Sequence, residues 1–233
     1  MTLSHKSISN YNAGIVKRKV TMKINIRREE EADYRIVEEV TREAFWNLNV
    51  PGCDEHYVAH CIRKHPDCIP ELDYVAEIDN KIVGSIMYTK SCVVDEQQNK
   101  IDTVTFGPVC VLPGYQRKGI GTALINHTKE IAIRNKNTAI IILGHPHNYC
   151  THGFKNCIDF NISNSDGRFP YGQLVLELEK GIFEGRKWKF YYSPVYEINA
   201  AEVELFDTQF PEKNKEYRPS QEEFSIAVRA FLG

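Results

Sequence analysis

One stretch limits what this chain can fold into more than any other: Val109-Cys110-Val111-Leu112-Pro113-Gly114-Tyr115-Gln116-Arg117-Lys118-Gly119-Ile120-Gly121-Thr122-Ala123-Leu124. Phe106 to Leu112 is a mostly apolar run that suits a buried strand, and Pro113-Gly114 is a strong turn signal. Ile120, Ala123, Leu124, His127 and Ile131 then recur at helical spacing. The order is therefore strand, turn, glycine loop, helix. The first N–H groups of a helix have no intrahelical partner and carry the positive end of its dipole. Gly119 and Gly121 have no Cβ to hold a ligand away from the main chain, and Arg117 and Lys118 add positive charge. Residues 116–122 thus form a seat for a phosphate or pyrophosphate.

Two well-known phosphate loops do not fit. A P-loop ends in Gly-Lys-Ser/Thr, where this chain has Gly121-Thr122-Ala123, and a dinucleotide fingerprint needs a third glycine where Leu124 stands. The remaining pattern, Gln/Arg-x-x-Gly-x-Gly/Ala after an apolar strand ending in Leu-Pro, resembles the acyl-CoA-binding motif of the GNAT N-acetyltransferase superfamily. The string Val111-Leu112-Pro113-x-Tyr115-Gln116-Arg117-Lys118-Gly119-Ile120-Gly121-x-x-Leu124 carries that resemblance, and it is far more specific than the glycines alone.

The rest of the chain can be read in order. Residues 1–21 are polar, with a basic Lys17-Arg18-Lys19 cluster and no acid. They read as a flexible tail, with an organelle transit peptide as the alternative. Ile24 and Ile26 alternate with polar residues from Met22 to Arg28, as in a strand. Asp33 reads as the cap of a helix carrying Tyr34, Val37, Val40, Thr41, Ala44 and Phe45. Asp54 to Arg63 reads as a second, short helix. Strands are expected over 72–78 and 82–94, joined by a turn at Asp79-Asn80-Lys81, and over 101–112, where Gly107-Pro108 forces a bulge. Gly84 marks a close backbone approach or bulge. The glycine-opened helix runs to about Arg134, and 138–143 is a continuous apolar strand of the parallel kind. Further strands are expected near 158–162, 174–178 and 187–198. Residues 199–219 are loop-rich. Ser220 with Glu223 makes a capping box for a C-terminal helix bearing Phe224, Val228 and Phe231, which covers the domain or makes a homodimer contact.

This β-α-α-β-β-β-α-β-loop-β order is the GNAT order. Gly144-His145-Pro146, Tyr149, Gly153-Phe154, Pro51 to His56 and Tyr192-Ser193-Pro194-Val195-Tyr196 look most like the YhbS-like branch. The resemblance implies an α/β (α+β) fold with a mixed twisted central sheet of about six to seven strands flanked by helices. It places an acyl-CoA-binding domain at 22–198 between the tail and a C-terminal extension at 199–233. The helix–loop–helix segment around residues 46–63 would wall the acceptor site.

The resemblance also implies chemistry. Backbone groups of Val109, Cys110 and Val111 would bind the pantetheine arm, and the N–H of Val111 or Cys110 would polarise the thioester carbonyl. Gln116, Arg117, Lys118, Gly119, Ile120, Gly121 and Thr122 would seat the pyrophosphate. Tyr149-x-x-x-Gly153-Phe154 matches the family's general-acid pattern, so the Tyr149 phenol would protonate the departing thiolate. His145, Glu55 and His56 are the candidate bases. Cys53, His56, His60, Cys61, His65 and Cys68 form a cluster that metal chemistry would need, but nothing in the resemblance asks for a metal, and none is expected.

Composition closes off other classes. Net charge of −2 offers no general attraction to nucleic acid or anionic membrane, and no apolar run is long enough to span a bilayer. Seven cysteines, with no Cys-x-x-Cys pair, argue against a disulfide framework and for a reducing, cytoplasmic setting. The expected activity is transfer of an acetyl group from acetyl-CoA to a primary amine of a small molecule or peptide. The competing reading is a GNAT-fold module that binds acyl-CoA without turnover.

Overall fold

The structure is a computed structural model that describes residues 23–233. The tail expected at 1–21, and Met22, lie outside the described residues. In chain order the elements are β1 (Asn25–Arg28), α1 (Tyr34–Phe45), α2 (Glu55–Ile62), β2 (Tyr74–Ile78), β3 (Lys81–Asp95), β4 (Lys100–Val111), α3 (Ile120–Arg134), β5 (Ala139–Leu143), α4 (Pro146–Tyr149), β6 (Lys155–Asn156), β7 (Ile162–Ser163), β8 (Phe169–Pro170), β9 (Gln173–Glu177), β10 (Trp188–Tyr191), α5 (Ala200–Asp207), α6 (Pro219–Arg229) and β11 (Phe231–Leu232).

One mixed sheet carries the fold. Its main path is β1-β2-β3-β4-β5-β9-β6, and β10 joins β3 with β7 beside it, giving nine strands. The seven-strand path agrees with the mixed sheet expected from the sequence. The extra arm rests on strands as short as Ile162–Ser163, too short for alternation to announce them. The hairpin β2–β3 closes through Asp79 and Asn80, both at positive φ (51° and 61°), the geometry that two-residue hairpin turns favour.

The two faces of the sheet bury different sets. Val104, Phe106, Ile140 and Ile142 pack against Ile120, Leu124 and Ile131 of α3. On the opposite face, Val75, Ile82 and Cys110 meet Val37 and Val40 of α1, and Met87 meets Val58, Ala59 and Ile62 of α2. Farther along, Val93, Ile141, Trp188 and Phe190 form a fourth cluster.

Several local expectations are corrected. Asp33 makes no side-chain cap for α1; its carboxylate takes Arg27 Nη1 and Nη2 at 2.6 and 2.9 Å and the Glu30 N–H at 2.8 Å. Ser220 does not cap the last helix, which begins at Pro219 with Arg218 at the cap; its hydroxyl donates to Leu48 O at 2.8 Å. The strand expected to reach Ile198 stops at Tyr191, because Ser193 accepts the Val195 N–H and Pro194 opens a 3-10 turn. The strand expected at 158–162 is mostly a 3-10 turn over Cys157–Phe160.

The region beyond 198 holds a further helix, α5, and is clasped to the body. Arg42 donates to Asp207 at 2.6 and 3.1 Å. Trp46 Nε1 and Asn47 Nδ2 donate to Asn214 O at 3.0 and 3.1 Å.

Gly84 is a point of close approach between β3 and β4. A Cβ there would lie 2.7 Å from the Cys110 carbonyl oxygen and 3.3 Å from Val111 Cγ2. The obstacle is backbone in the middle of a paired ladder, so it cannot swing aside. Gly84→Ala is expected to cost about 1–3 kcal/mol, read as a fall of several degrees in Tm; an unchanged Tm would show that the ladder yields.

Candidate functional site

The site is a parting of the sheet. β4 and β5 run parallel, yet only Val104 and Ile140 are in register. Beyond that pair β4 departs. Its partner β3 loses register between Ile86 and Tyr88, so that Tyr88 faces Phe106 and Ile86 faces Val109. Gly107 and Pro108 thus stand against Met87 alone, which is the bulge expected from that dipeptide. Leu143, at the far end of β5, is 56% exposed.

Which backbone groups face the gap follows from alternation along an antiparallel ladder. The Leu112 N–H donates to Val83 O at 2.8 Å, so Leu112 and Cys110 turn toward β3. Val109 and Val111 turn the other way, toward the gap, and the Val111 carbonyl there accepts Gln116 Nε2 at 3.0 Å. Cys110 therefore leaves the set of gap-facing donors. Its side chain is also occupied, with Sγ buried 3.2 Å from Ser85 Oγ and 3.5 Å from Thr41 Oγ1, and burial pushes the thiol pKa up.

The glycine loop lies at the mouth of the gap. Gly119 caps α3 at φ +84°, a left-handed conformation that glycine adopts without strain. Among the described residues, the N–H groups of 117–122 have no acceptor; the Ala123 N–H is the first to close, onto Gly119 O at 2.9 Å. The side chains of the loop differ in use. Ile120 is buried under α3 beside Leu124, so only its main chain is available. Gln116 braces Val111, and Lys118 Nζ donates to Gly114 O at 2.8 Å. Arg117 and Thr122 are exposed. The loop is thus held in shape by its own side chains while its N–H groups stay open, the arrangement a pyrophosphate needs.

Tyr149 reaches the gap from the β5 side. Its ring lies over Gly144, where a Cβ would meet Tyr149 Cε2 at 2.5 Å, and it packs against Phe106 at 5.7 Å and Phe154 at 6.1 Å between centroids. Phe106 is the last β4 residue before the bulge, so Tyr149 spans from the end of β5 to the break in β4. Its hydroxyl makes no hydrogen bond with the described residues, and burial pushes its pKa up to about 12.

The candidate bases stand in differing surroundings. His145 is exposed, caps α4 by accepting the His147 N–H at 3.3 Å, and lies beside Tyr171. Glu55 accepts Asn49 Nδ2 at 2.7 Å and the Cys53 thiol at 3.4 Å. His56 is fully buried beside Phe206 and Phe210. Its Nε2 lies 3.1 Å from Asp207 Oδ1 without the alignment of a hydrogen bond, and burial lowers its pKa to about 4. The cysteine and histidine cluster disperses: His60 pairs with Glu38 at 2.9 Å, His65 faces Asp67, and the Cys68 thiol donates to Asp73.

Sequence reasoning missed two residues at the parting. Phe106 supports Tyr149, and its signal is an aromatic set directly before Gly-Pro. Tyr196, whose hydroxyl donates to Gly107 O at 3.0 Å, stands in a Tyr-Ser-Pro-Val-Tyr segment whose residues alone assign it no role.

The fold is also that of solved structures. The structure is similar to that of the GNAT family N-acetyltransferase YhbS from Escherichia coli, solved in complex with CoA: TM-score 0.65, 19% identity, 76% of this chain and 93% of that one. It is likewise similar to a GNAT family acetyltransferase from Brucella melitensis solved with acetyl-CoA: TM-score 0.58, 22% identity, 75% of this chain and 99% of that one. In sequence, residues 71–156 match the acetyltransferase (GNAT) domain model. The uncharacterized N-acetyltransferase YjhQ of E. coli K12 is 31% identical over 88 residues, 38% of this chain. The match spans about half of that relative, 48% of its length.

Proposed function

We propose that the protein is an acetyl-CoA-dependent N-acetyltransferase acting on a primary amine. The observation that carries this reading is the gap between β4 and β5, with the Val109 and Val111 main chain on one side, Tyr149 on the other and the unpaired N–H groups of 117–122 at its mouth. That spacing of groups suits a long ligand with a pyrophosphate at one end and a thioester at the other.

The chemistry needs little covalent help. The neutral amine nitrogen attacks the acetyl carbonyl carbon, forming the N–C bond. The carbonyl oxygen gains negative charge and is met by the Val109 or Val111 N–H. As the C–S bond breaks, the sulfur takes the Tyr149 proton, and the phenolate is reprotonated with the proton that the amine nitrogen gives up through solvent. The products are the N-acetyl amine and free CoA. The remote seat of the pyrophosphate supplies binding energy that holds the acetyl group in place.

Purified protein mixed with acetyl-CoA should release free thiol only when an amine acceptor is present. A panel of small-molecule and peptide amines, read by thiol release and by mass of the product, tests this. Tight CoA binding with no release across the panel would favour a binding module instead.

A further inference from the structure

Tyr196 belongs to neither the glycine loop nor the acid, yet it is bonded to the point where the sheet parts. It ends the 3-10 turn Pro194–Tyr196, and its hydroxyl donates to Gly107 O at 3.0 Å. The same oxygen lies 3.1 Å from Thr89 Oγ1. A phenol has one proton, so with that proton on Gly107 O, the Thr89 hydroxyl is the donor in the second bond. Tyr196 therefore ties the break in β4 to β3, the strand that still pairs with it.

The break needs such a tie. Pro108 has no N–H to give to a ladder, and Gly107 stands in the bulge, where register with β3 is lost. The turn that carries Tyr196 is anchored independently of the phenol. Val195 packs with Met87, Val58, Ala59 and Ile62, and the Ser193 hydroxyl accepts the Val195 N–H at 3.4 Å. The ring is steadied by Tyr192 at 6.2 Å between centroids.

We propose that Tyr196 is a positioning residue for acyl transfer: its hydroxyl fixes the Gly107 carbonyl, and so sets the aim of the Val109 and Val111 N–H groups at the thioester oxygen. This rests on the acyl-CoA reading of the gap. The phenol itself touches no substrate. It acts through the strand, where a small misplacement of donors is costly to rate.

Tyr196→Phe removes the oxygen and keeps the ring. Tyr192→Phe is the control, since that phenol makes no hydrogen bond with the described residues. In the protein without substrate, exchange of the Cys110 and Leu112 amides, which turn toward β3, should quicken by roughly tenfold in Tyr196→Phe, the scale of one lost hydrogen bond, and stay unchanged in Tyr192→Phe. With acetyl-CoA and an accepted amine, kcat should fall by about tenfold or more, while KM for acetyl-CoA holds within about twofold because the loop at 116–122 is untouched. Unchanged exchange overturns the tie. Quickened exchange with unchanged kcat in an active protein overturns the positioning role. A wild type that binds CoA but transfers to no amine overturns the acetyltransferase reading, and the catalytic part of this proposal with it.

Discussion

Gly121→Glu is expected to leave the fold standing and to weaken CoA binding at least ~100-fold. The second residue of α3 has room: a Cβ at Gly121 would meet only Val111 Cγ2, at 3.9 Å, an ordinary contact. A carboxylate in a first helical turn is even favourable, by about 0.3–1 kcal/mol. The same carboxylate would sit among the open N–H groups of 119–122, where the proposed pyrophosphate belongs. Two like charges about 4 Å apart near a protein surface repel by about 4 kcal/mol before salt screening. Stability and binding are thus pushed in opposite directions by one substitution. Calorimetric titration with CoA, beside a melting curve and Gly121→Ala as a near-neutral control, separates the two. Wild-type affinity in a folded Gly121→Glu protein would refute the seat.

Tyr149→Phe is expected to lower kcat by about a hundredfold or more while acetyl-CoA affinity stays near normal. The ring contacts with Phe106, Phe154 and Gly144 involve carbon only, so the substitution removes the proton donor without opening a cavity. Burial holds the phenol pKa at about 12. The raised value favours the neutral form in the folded protein, so Tyr149 stays protonated through neutral and mildly alkaline pH and is not itself expected to produce a falling alkaline limb below about pH 9. Single-turnover measurement with a saturating amine reads the loss directly. Retained turnover would remove Tyr149 from the chemistry.

How much of this could be read from residues depends on the range of the interaction. The glycine loop, α3, the hairpin turn at Asp79-Asn80 and the bulge at Gly107-Pro108 were legible because each is written in contiguous residues with fixed conformational demands. Tyr149 was legible through its spacing to Gly153-Phe154. Alternation predicted a strand at 109–111 but not which of its edges is free; only the Leu112-to-Val83 bond shows that Cys110 turns away and Val111 toward the gap. His56 was misread for the opposite reason. Near Asp54 and Glu55 it resembled part of an exposed acceptor wall, whereas α5, some 150 residues later in the chain, covers it with Phe206. Asp33 and Ser220 have cap-like neighbours in sequence, but Arg27 and the Leu48 carbonyl, set by tertiary packing, claimed their side chains.

The clasp between Arg42 and Asp207 divides the molecule's tasks by chain segment. The groups proposed to hold the acyl donor all lie between residues 109 and 149. The helices on the opposite face, α1 and α2, are set from outside by residues beyond 198. Drift in the last part of the chain can therefore shift α1 and α2 while the donor side stays constant. Phe206 and Phe210 are buried against His56, so substitutions there act on how α2 is seated, from a part of the chain that supplies none of the proposed donor groups.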